Sequence, residues 1–89
     1  MAEQAAHHRQ DQPRVLVLTR PGCHLCEDAL AVVATVCNET QNAWEERDIT
    51  TDPELTRRYT DEIPVTFIDG VQHDFWRVDA SRLRAALLR

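Results

Sequence analysis

The chain passes from an apolar run to a pair of cysteines in the stretch Val15-Leu16-Val17-Leu18-Thr19-Arg20-Pro21-Gly22-Cys23-His24-Leu25-Cys26. The two thiols stand where an amphipathic helix is expected to begin. Unpaired backbone N–H groups and the positive end of the helix dipole favour an anion there, so we expect Cys23 to be the attacking thiolate. Cys26 lies one turn later, where it can close a small ring with Cys23 and release a bound partner. The pattern therefore predicts a redox-active pair in which Cys26 is the resolving thiol.

The residues before this stretch divide into a polar tail and a strand. Residues 1–13 are polar, with three Gln, two His and no periodicity, which predicts a disordered tail ending at Pro13. The pair His7-His8 lacks the preorganised partners that a metal site needs. From Arg14 to Thr19 the continuous apolar run predicts a buried strand. We expect a single folded domain over residues 14–89.

The residues after the cysteines predict a helix, a strand and a second helix. A first helix is expected from His24 to about Thr40, because apolar residues recur there at helical spacing. The segment from Ala43 to Ile49 is interpreted as a second strand. A capping candidate, a proline and an early acid at Thr51-Asp52-Pro53-Glu54 predict a short helix that ends near Tyr59.

The last third of the chain predicts a hairpin and a helix. A third strand is expected over Ile63–Ile68, an Asp69-Gly70 turn follows it, and Val71–Val78 is the antiparallel partner. Asp79 is a cap for a final helix whose buried stripe is Leu83, Ala86 and Leu87. The predicted order is β-α-β-α-β-β-α, an α/β fold with a four-stranded mixed sheet and helices on both faces.

This order and two of its motifs resemble the glutaredoxin-like family of the thioredoxin fold. The resemblance rests on the Thr19–Cys26 stretch, on Ile63-Pro64-Val65-Thr66-Phe67-Ile68-Asp69-Gly70 and on their spacing, and it covers residues 14–89. It implies that Pro64 is cis and lies against the dithiol, and that the backbone of Ile63 pairs with a peptide-like substrate. It also implies that Arg20, where the family often has Lys, contributes to substrate binding. His24 is expected to modulate the thiols at most.

The sequence departs from glutathione-using members of the family after the hairpin. Those members usually carry a Gly-Gly and a following acid that hold the glutamyl end of glutathione. Here the stretch is His73-Asp74-Phe75-Trp76-Arg77-Val78-Asp79, in which Phe75 and Trp76 would crowd the groove, although at least one of them is expected in the core. Glutathione and a thioredoxin-reductase-type flavoenzyme compete as electron donor, and the missing Gly-Gly favours the second.

A metal site is the main alternative for the cysteine pair, since Cys-x-x-Cys is also a common zinc half-site. The third cysteine, Cys37, lies about 16 Å further along a continuous helix at ~1.5 Å per residue. It can neither share a tetrahedral ion with Cys23 and Cys26 nor bond to them, and it is interpreted as a core residue. An iron–sulfur cluster shared by two chains and completed by glutathione is a further alternative.

Composition limits the class of partner and the compartment. The 89 residues carry a net charge of −5, and the ten basic residues, all Arg, are scattered, so nucleic acid is not expected. No apolar run resembles a membrane span or a signal peptide, so we expect a cytoplasmic monomer without membrane association. Three cysteines in a reducing compartment argue against a structural disulfide framework.

Two classes of function remain at this point. The first is a thiol–disulfide oxidoreductase that uses Cys23 and Cys26 to reduce disulfides of proteins or small molecules, with no tightly bound cofactor and no metal. The alternative is a non-catalytic thioredoxin-fold module that binds a metal, an iron–sulfur cluster or a protein partner. The presence of both thiols and of Pro64 favours the first.

Overall fold

The structure, a computed structural model, describes residues 13–89. Its elements in chain order are β1 (Val15–Thr19), α1 (His24–Thr40), β2 (Trp44–Asp48), a 3₁₀ turn (Ile49–Thr51), α2 (Pro53–Tyr59), β3 (Val65–Ile68), β4 (Val71–Phe75) and α3 (Ala80–Leu88). The predicted order is confirmed, with the 3₁₀ turn added. The tail expected over residues 1–13, with its two histidines, lies outside the described residues except for Pro13.

The four strands form one mixed sheet in the order β2-β1-β3-β4. β1 pairs in parallel with β2, from Val15 opposite Trp44 to Thr19 opposite Asp48. β3 pairs antiparallel with both β1 and β4. The crossover from β1 to β2 is helix α1, so the carboxyl end of central strand β1 leads directly to the first turn of α1. This connection places the cysteine pair at one edge of the sheet.

Two apolar clusters cover the two faces of the sheet. Because side chains alternate along a strand, Val17 of β1 packs with α1 and with Leu83 of α3, whereas Leu18 packs on the other face. On that second face Tyr59 of α2 meets Phe67 of β3 edge to face, with ring centroids 5.8 Å apart. The expectation of helices on both faces is thus confirmed.

The hairpin turn agrees with the sequence, but the strands around it are shorter than predicted. Asp69 and Gly70 have φ of 53° and 83°, the positive values that a type I′ turn requires. β3 begins at Val65 rather than at Ile63, since Pro64 has no N–H for the ladder. β4 ends at Phe75 rather than at Val78, because the chain turns at Trp76, whose φ is 66°.

Short polar side chains start the later helices. The Asp52 carboxylate accepts hydrogen bonds from the backbone N–H groups of Glu54 and Leu55 and thereby caps α2. Asp79 accepts from the N–H of Arg82 at 3.0 Å and caps α3. The predicted second strand is trimmed to Trp44–Asp48, because its last expected residue, the buried Ile49, begins the 3₁₀ turn that leads into α2.

Candidate active site

Cys23 is the cap residue of helix α1. Its backbone is extended, with φ −108° and ψ 111°, and its Sγ accepts a hydrogen bond of 3.1 Å from the backbone N–H of Cys26. A sulfur thus occupies the position that a Ser or Asp oxygen usually fills at a helix start. Gly22, with φ 73°, supplies the turn that brings the chain from β1 into this position. The half-buried thiol faces the positive end of the helix, where negative charge is stabilised.

Cys26 is shielded, with only 2% of its surface exposed. Its side chain lies in an apolar cluster with Leu18, Ile63 and Val65, and Cys23 packs against the same cluster. Burial, followed by the hydrogen bond to Cys23, raises the pKa of the Cys26 thiol from 9.0 to about 12. Cys26 is therefore protonated at neutral pH while Cys23 remains accessible.

Both thiols are free, and the third cysteine belongs to another part of the molecule. Cys37 is fully buried in the cluster that joins α1 and α3, where burial raises the pKa of its thiol. The interpretation of Cys37 as a core residue is confirmed. Within residues 13–89 no group of three or more His, Cys, Asp or Glu side chains is arranged to hold a metal ion.

The segment before β3 supplies the second wall of the site. The Ile63–Pro64 peptide bond is cis, as the resemblance implied, and Ile63 is 6% exposed. Ile63 precedes the first paired residue of β3. Within residues 13–89 the backbone N–H and carbonyl of Ile63 make no hydrogen bond to another backbone group in a turn or loop. These groups can therefore pair with an extended peptide.

A cleft of roughly 500 Å³ opens beside Ile63. Arg20 and Leu25, which flank Cys23 in the chain, line it on one side, and Thr60, Asp61, Trp76 and Arg77 complete it. The Arg20 guanidinium reaches the carbonyl of Thr60 at 3.4 Å. The structure thus brings Arg20 and Ile63 together at one cleft, and Ile63 also belongs to the cluster around Cys26.

His24 does not contribute to this arrangement. Its side chain is 98% exposed, and its Nδ1 lies 3.9 Å from a carboxylate oxygen of Glu27 on the next turn. In the residues that the structure describes it makes no hydrogen bond to either thiol. A position on the solvent side of α1 explains this, since neighbours in a helix point about 100° apart.

Phe75 and Trp76 lie on the surface, so the expectation that one of them is in the core is wrong. Phe75 is 49% and Trp76 51% exposed, and their rings meet edge to face at 5.0 Å. Only Trp76 lines the cleft. The physical reason in the case of Trp76 is the turn at this residue, which takes the chain out of β4 and brings the indole N–H to the Asp61 carbonyl instead of the sheet.

Four residues of the cleft were not identified from the sequence. Leu25 is one of the apolar residues whose helical spacing predicts α1, but it is only partly buried and lines the cleft. Thr60, Asp61 and Arg77 lie in connecting segments with no periodic pattern. One signal could have found them, because the predicted topology places these connections at the same end of the strands as the cysteines.

The sheet order, the capping cysteine, the shielded second thiol and the neighbouring cis-proline define a dithiol protein of the thioredoxin fold. Residues 14–88 match the model of the Glutaredoxin-like domain (DUF836) family. The chain belongs to this family. Its fold and its Cys23–Cys26 pair support a function of the redox type.

Similar proteins span nearly the same length. An uncharacterized protein from Mycobacterium tuberculosis is 34% identical over 83 residues, which cover 88% of this chain and 86% of the relative. Its counterpart in Mycobacterium bovis has the same identity and coverage. The likeness therefore concerns the whole domain and not the cysteine motif alone.

Solved structures give the same result at the level of the fold. A crystal structure of a protein from X. campestris has a TM-score of 0.68 at 30% identity and covers 82% of this chain and 93% of its own. A solution structure from Nitrosomonas europaea reaches 0.70 at 28% identity, covering 90% and 98%. Thioredoxin from Fasciola hepatica, at 20% identity and TM-score 0.57 over 84% and 77%, shares the fold.

None of the helices in the described part of the chain is both long and apolar enough to cross a membrane.

Proposed function

We propose that this protein is a dithiol–disulfide oxidoreductase that reduces disulfides in protein substrates. The observation that carries the proposal is the unequal environment of the two thiols. Cys23 lies at the helix start and accepts the Cys26 N–H, whereas Cys26 is buried and its pKa is raised to about 12. One thiol is thus placed to attack and the other is held back until it is needed.

In the first step the Cys23 thiolate attacks one sulfur of the substrate disulfide. A Cys23–substrate disulfide forms, the substrate S–S bond breaks, and the departing thiolate takes up a proton. The free backbone groups of Ile63 hold the substrate segment as a short added strand. Cys26 does not compete in this step, because it is protonated and shielded from the substrate.

In the second step Cys26 loses its proton and attacks the Cys23 sulfur. The Cys23–Cys26 disulfide forms and the second substrate thiol leaves, so two electrons have passed from the protein to the substrate. Part of the rise in the Cys26 pKa comes from the hydrogen bond and negative charge of Cys23. Both contributions end when Cys23 is bonded to the substrate. The pKa of Cys26 therefore falls at the step in which the Cys26 thiolate must attack.

The dithiol must then be restored by an external reductant, for which we propose a thioredoxin-reductase-type flavoenzyme rather than glutathione. The backbone N–H of Trp76 already donates to the Pro64 carbonyl at 2.7 Å, and the N–H of Arg77 donates to the Phe75 carbonyl at 2.8 Å. Neither N–H can donate to the glutamyl carboxylate of glutathione without breaking its present hydrogen bond.

The test is a trapping experiment with a protein disulfide as substrate. We expect Cys26→Ser to accumulate a mixed disulfide through Cys23, visible as one added substrate mass that dithiothreitol removes. Cys23→Ser should form none, and Cys37→Ala should turn over like the unaltered protein. Reversible oxidation that consumes two thiols per chain supports catalysis. A Cys26→Ser variant that never forms the adduct contradicts the proposal and favours a binding module.

A further inference from the structure

The cleft beside Ile63 carries positive charge on a protein that is acidic as a whole. Arg20 and Arg77 line it together with a single acid, Asp61, although the chain has a net charge of −5. Among residues 13–89 the Arg77 guanidinium makes no hydrogen bond or ion pair, and Arg20 has only the 3.4 Å contact with the Thr60 carbonyl. Both cations are thus available to a ligand.

The aromatic wall of the cleft is held in a strained conformation. Trp76 has φ 66°, which is a rare and sterically unfavourable value for a bulky residue. The hydrogen bond from Arg77 N–H to Phe75 O closes a three-residue turn around it. The indole Nε1–H donates to the Asp61 carbonyl at 3.0 Å and fixes the ring, half exposed, over the opening. Strain held in an exposed aromatic residue points to a binding role.

Ile63 connects this cleft to the thiols. Its side chain lines the cleft, and it also packs in the cluster that contains Cys26 and contacts Cys23. Arg20 and Leu25 lie three residues before and two residues after Cys23. A peptide whose cysteine is bonded to Cys23 and whose backbone follows Ile63 therefore passes its neighbouring side chains through the cleft.

We propose that the cleft selects protein disulfides whose cysteine is flanked by acidic residues. The inference rests on the proposed oxidoreductase function and adds the class of substrate. Guanidinium groups match carboxylates in geometry and charge, and the Trp76 ring offers an apolar surface to the methylene groups of Glu. A basic flank would instead place like charges beside Arg20 and Arg77, which lowers both the rate of encounter and the affinity.

The test compares three peptide disulfides that differ only in the residues flanking the cysteine, which are Glu, Gln or Lys. At low ionic strength we expect kcat/KM to fall in that order, with about tenfold between Glu and Lys. Arg77→Gln and Arg20→Gln should each reduce this ratio about two- to fivefold, the size typical of an exposed ion pair. Arg84→Gln is the matched control, because Arg84 pairs with Glu39 away from the cleft and its loss changes net charge equally.

A second measurement separates docking from chemistry. Peptides with Ser in place of the cysteine are titrated while the fluorescence of Trp76 is followed in a Trp44→Phe background. We expect the Glu peptide to bind more tightly than the Lys peptide, and added salt to reduce the difference.

If all three disulfides are reduced equally well, the charge selection is wrong but the oxidoreductase function stands. The same conclusion follows if Arg84→Gln lowers the Glu-to-Lys ratio of kcat/KM as much as Arg77→Gln and Arg20→Gln do. No reduction of any disulfide together with charge-dependent binding overturns the proposed function and leaves the docking site. Neither reduction nor charge-dependent binding overturns both.

Discussion

The backbone N–H of Trp76 donates a 2.7 Å hydrogen bond to the carbonyl oxygen of Pro64. This bond ties the turn after β4 to the segment that precedes β3, and the indole bond to Asp61 ties the ring to the loop after α2. The wall of the cleft and the Ile63–Pro64 segment are therefore parts of one hydrogen-bonded unit. The distance between the turn after β4 and the segment before β3 is set by a bond between backbone atoms.

The conformation of Trp76 predicts an unusual order of stability between two variants. Trp76→Ala and Trp76→Gly both remove the indole, but only glycine adopts φ 66° without a steric cost. We expect the glycine variant to be more stable than the alanine variant by about 1 kcal/mol, measured by urea unfolding. The reverse order, which is usual at positions with negative φ, would show that Trp76 is not strained in solution.

The shielding of Cys26 predicts selective alkylation. At neutral pH iodoacetamide should label Cys23 first, because Cys26 is 2% exposed and its pKa is raised to about 12. Cys37, which is fully buried, should react only on unfolding. Peptide mapping after short exposures measures the order. Simultaneous labelling of Cys23 and Cys26, or early labelling of Cys37, is incompatible with the roles assigned here.

The buried thiols predict a loss of stability at alkaline pH. Burial raises the folded-state pKa values of Cys26 and Cys37 above the ordinary value of 9.0. Below that value both thiols are protonated in both states. Above it the unfolded chain releases their protons and the folded chain keeps them, so the free energy of unfolding falls as pH rises from 9 toward 12.

Urea unfolding in the presence of a reductant, at about pH 8 and about pH 10, measures this loss. Cys37→Ala should show a smaller difference between the two pH values than the unaltered protein, because one of the two groups is gone. An equal difference in both proteins would mean that Cys37 titrates normally in the folded state.

The fold was predictable from the sequence because each of its elements carries a local signal. The apolar run of β1, the helical periodicity after Cys23 and the Asp69-Gly70 turn depend on residues close together in the chain. The same holds for Cys23 at the helix start. The errors at the ends of β3 and β4 have one cause, since Pro64 and Trp76 end the pairing of these two strands through backbone geometry.

The cleft was not predictable, because it is assembled from segments distant in sequence. Trp76 reaches Asp61 across fifteen positions, and Arg20 reaches Thr60 across forty. Nothing in the composition near Arg77 distinguishes it from the scattered surface arginines. The positive φ of Trp76 gives no sequence signal either, since glycine is the residue that normally marks such a conformation.

Arg14 predicts a measurable contribution to stability far from the thiols. Its guanidinium binds both carboxylate oxygens of Asp69, at 3.1 and 3.0 Å, and its Nη1 donates to the Leu87 carbonyl at 3.1 Å. It thus joins the start of β1, the hairpin turn and the end of α3. Arg14→Lys retains the charge but not the paired geometry, and should lower the free energy of unfolding by about 1–2 kcal/mol.

The control for this prediction is Arg57→Lys, whose ion pair with Glu54 is exposed on α2. It should change stability by less than about 0.5 kcal/mol. If the two variants unfold at the same urea concentration, Arg14 acts as an ordinary surface cation.

The engaged N–H groups in the turn after β4 predict which electron donor restores the dithiol. With a mixed disulfide of glutathione as substrate, glutathione and glutathione reductase should support much slower turnover than a thioredoxin-reductase-type enzyme. The N–H groups of Trp76 and Arg77 are engaged, which leaves glutathione the Ile63 backbone and exposed charge contacts with the Arg20 and Arg77 guanidinium groups, each worth about 0–1 kcal/mol. Efficient glutathione-driven turnover that survives Cys26→Ser would instead establish a monothiol mechanism.

Two variants measure how much the Trp76 indole, as distinct from the engaged backbone N–H groups, disfavours glutathione as electron donor. Trp76→Gly keeps the turn and its N–H bonds but opens the cleft, so glutathione-driven turnover should rise in this variant while remaining below that with the flavoenzyme. Phe75→Ala removes a neighbouring aromatic ring of similar exposure that does not line the cleft, and should leave the rate unchanged. A rise in Phe75→Ala equal to that in Trp76→Gly would mean that general apolar bulk, rather than the position of the Trp76 ring, keeps glutathione out.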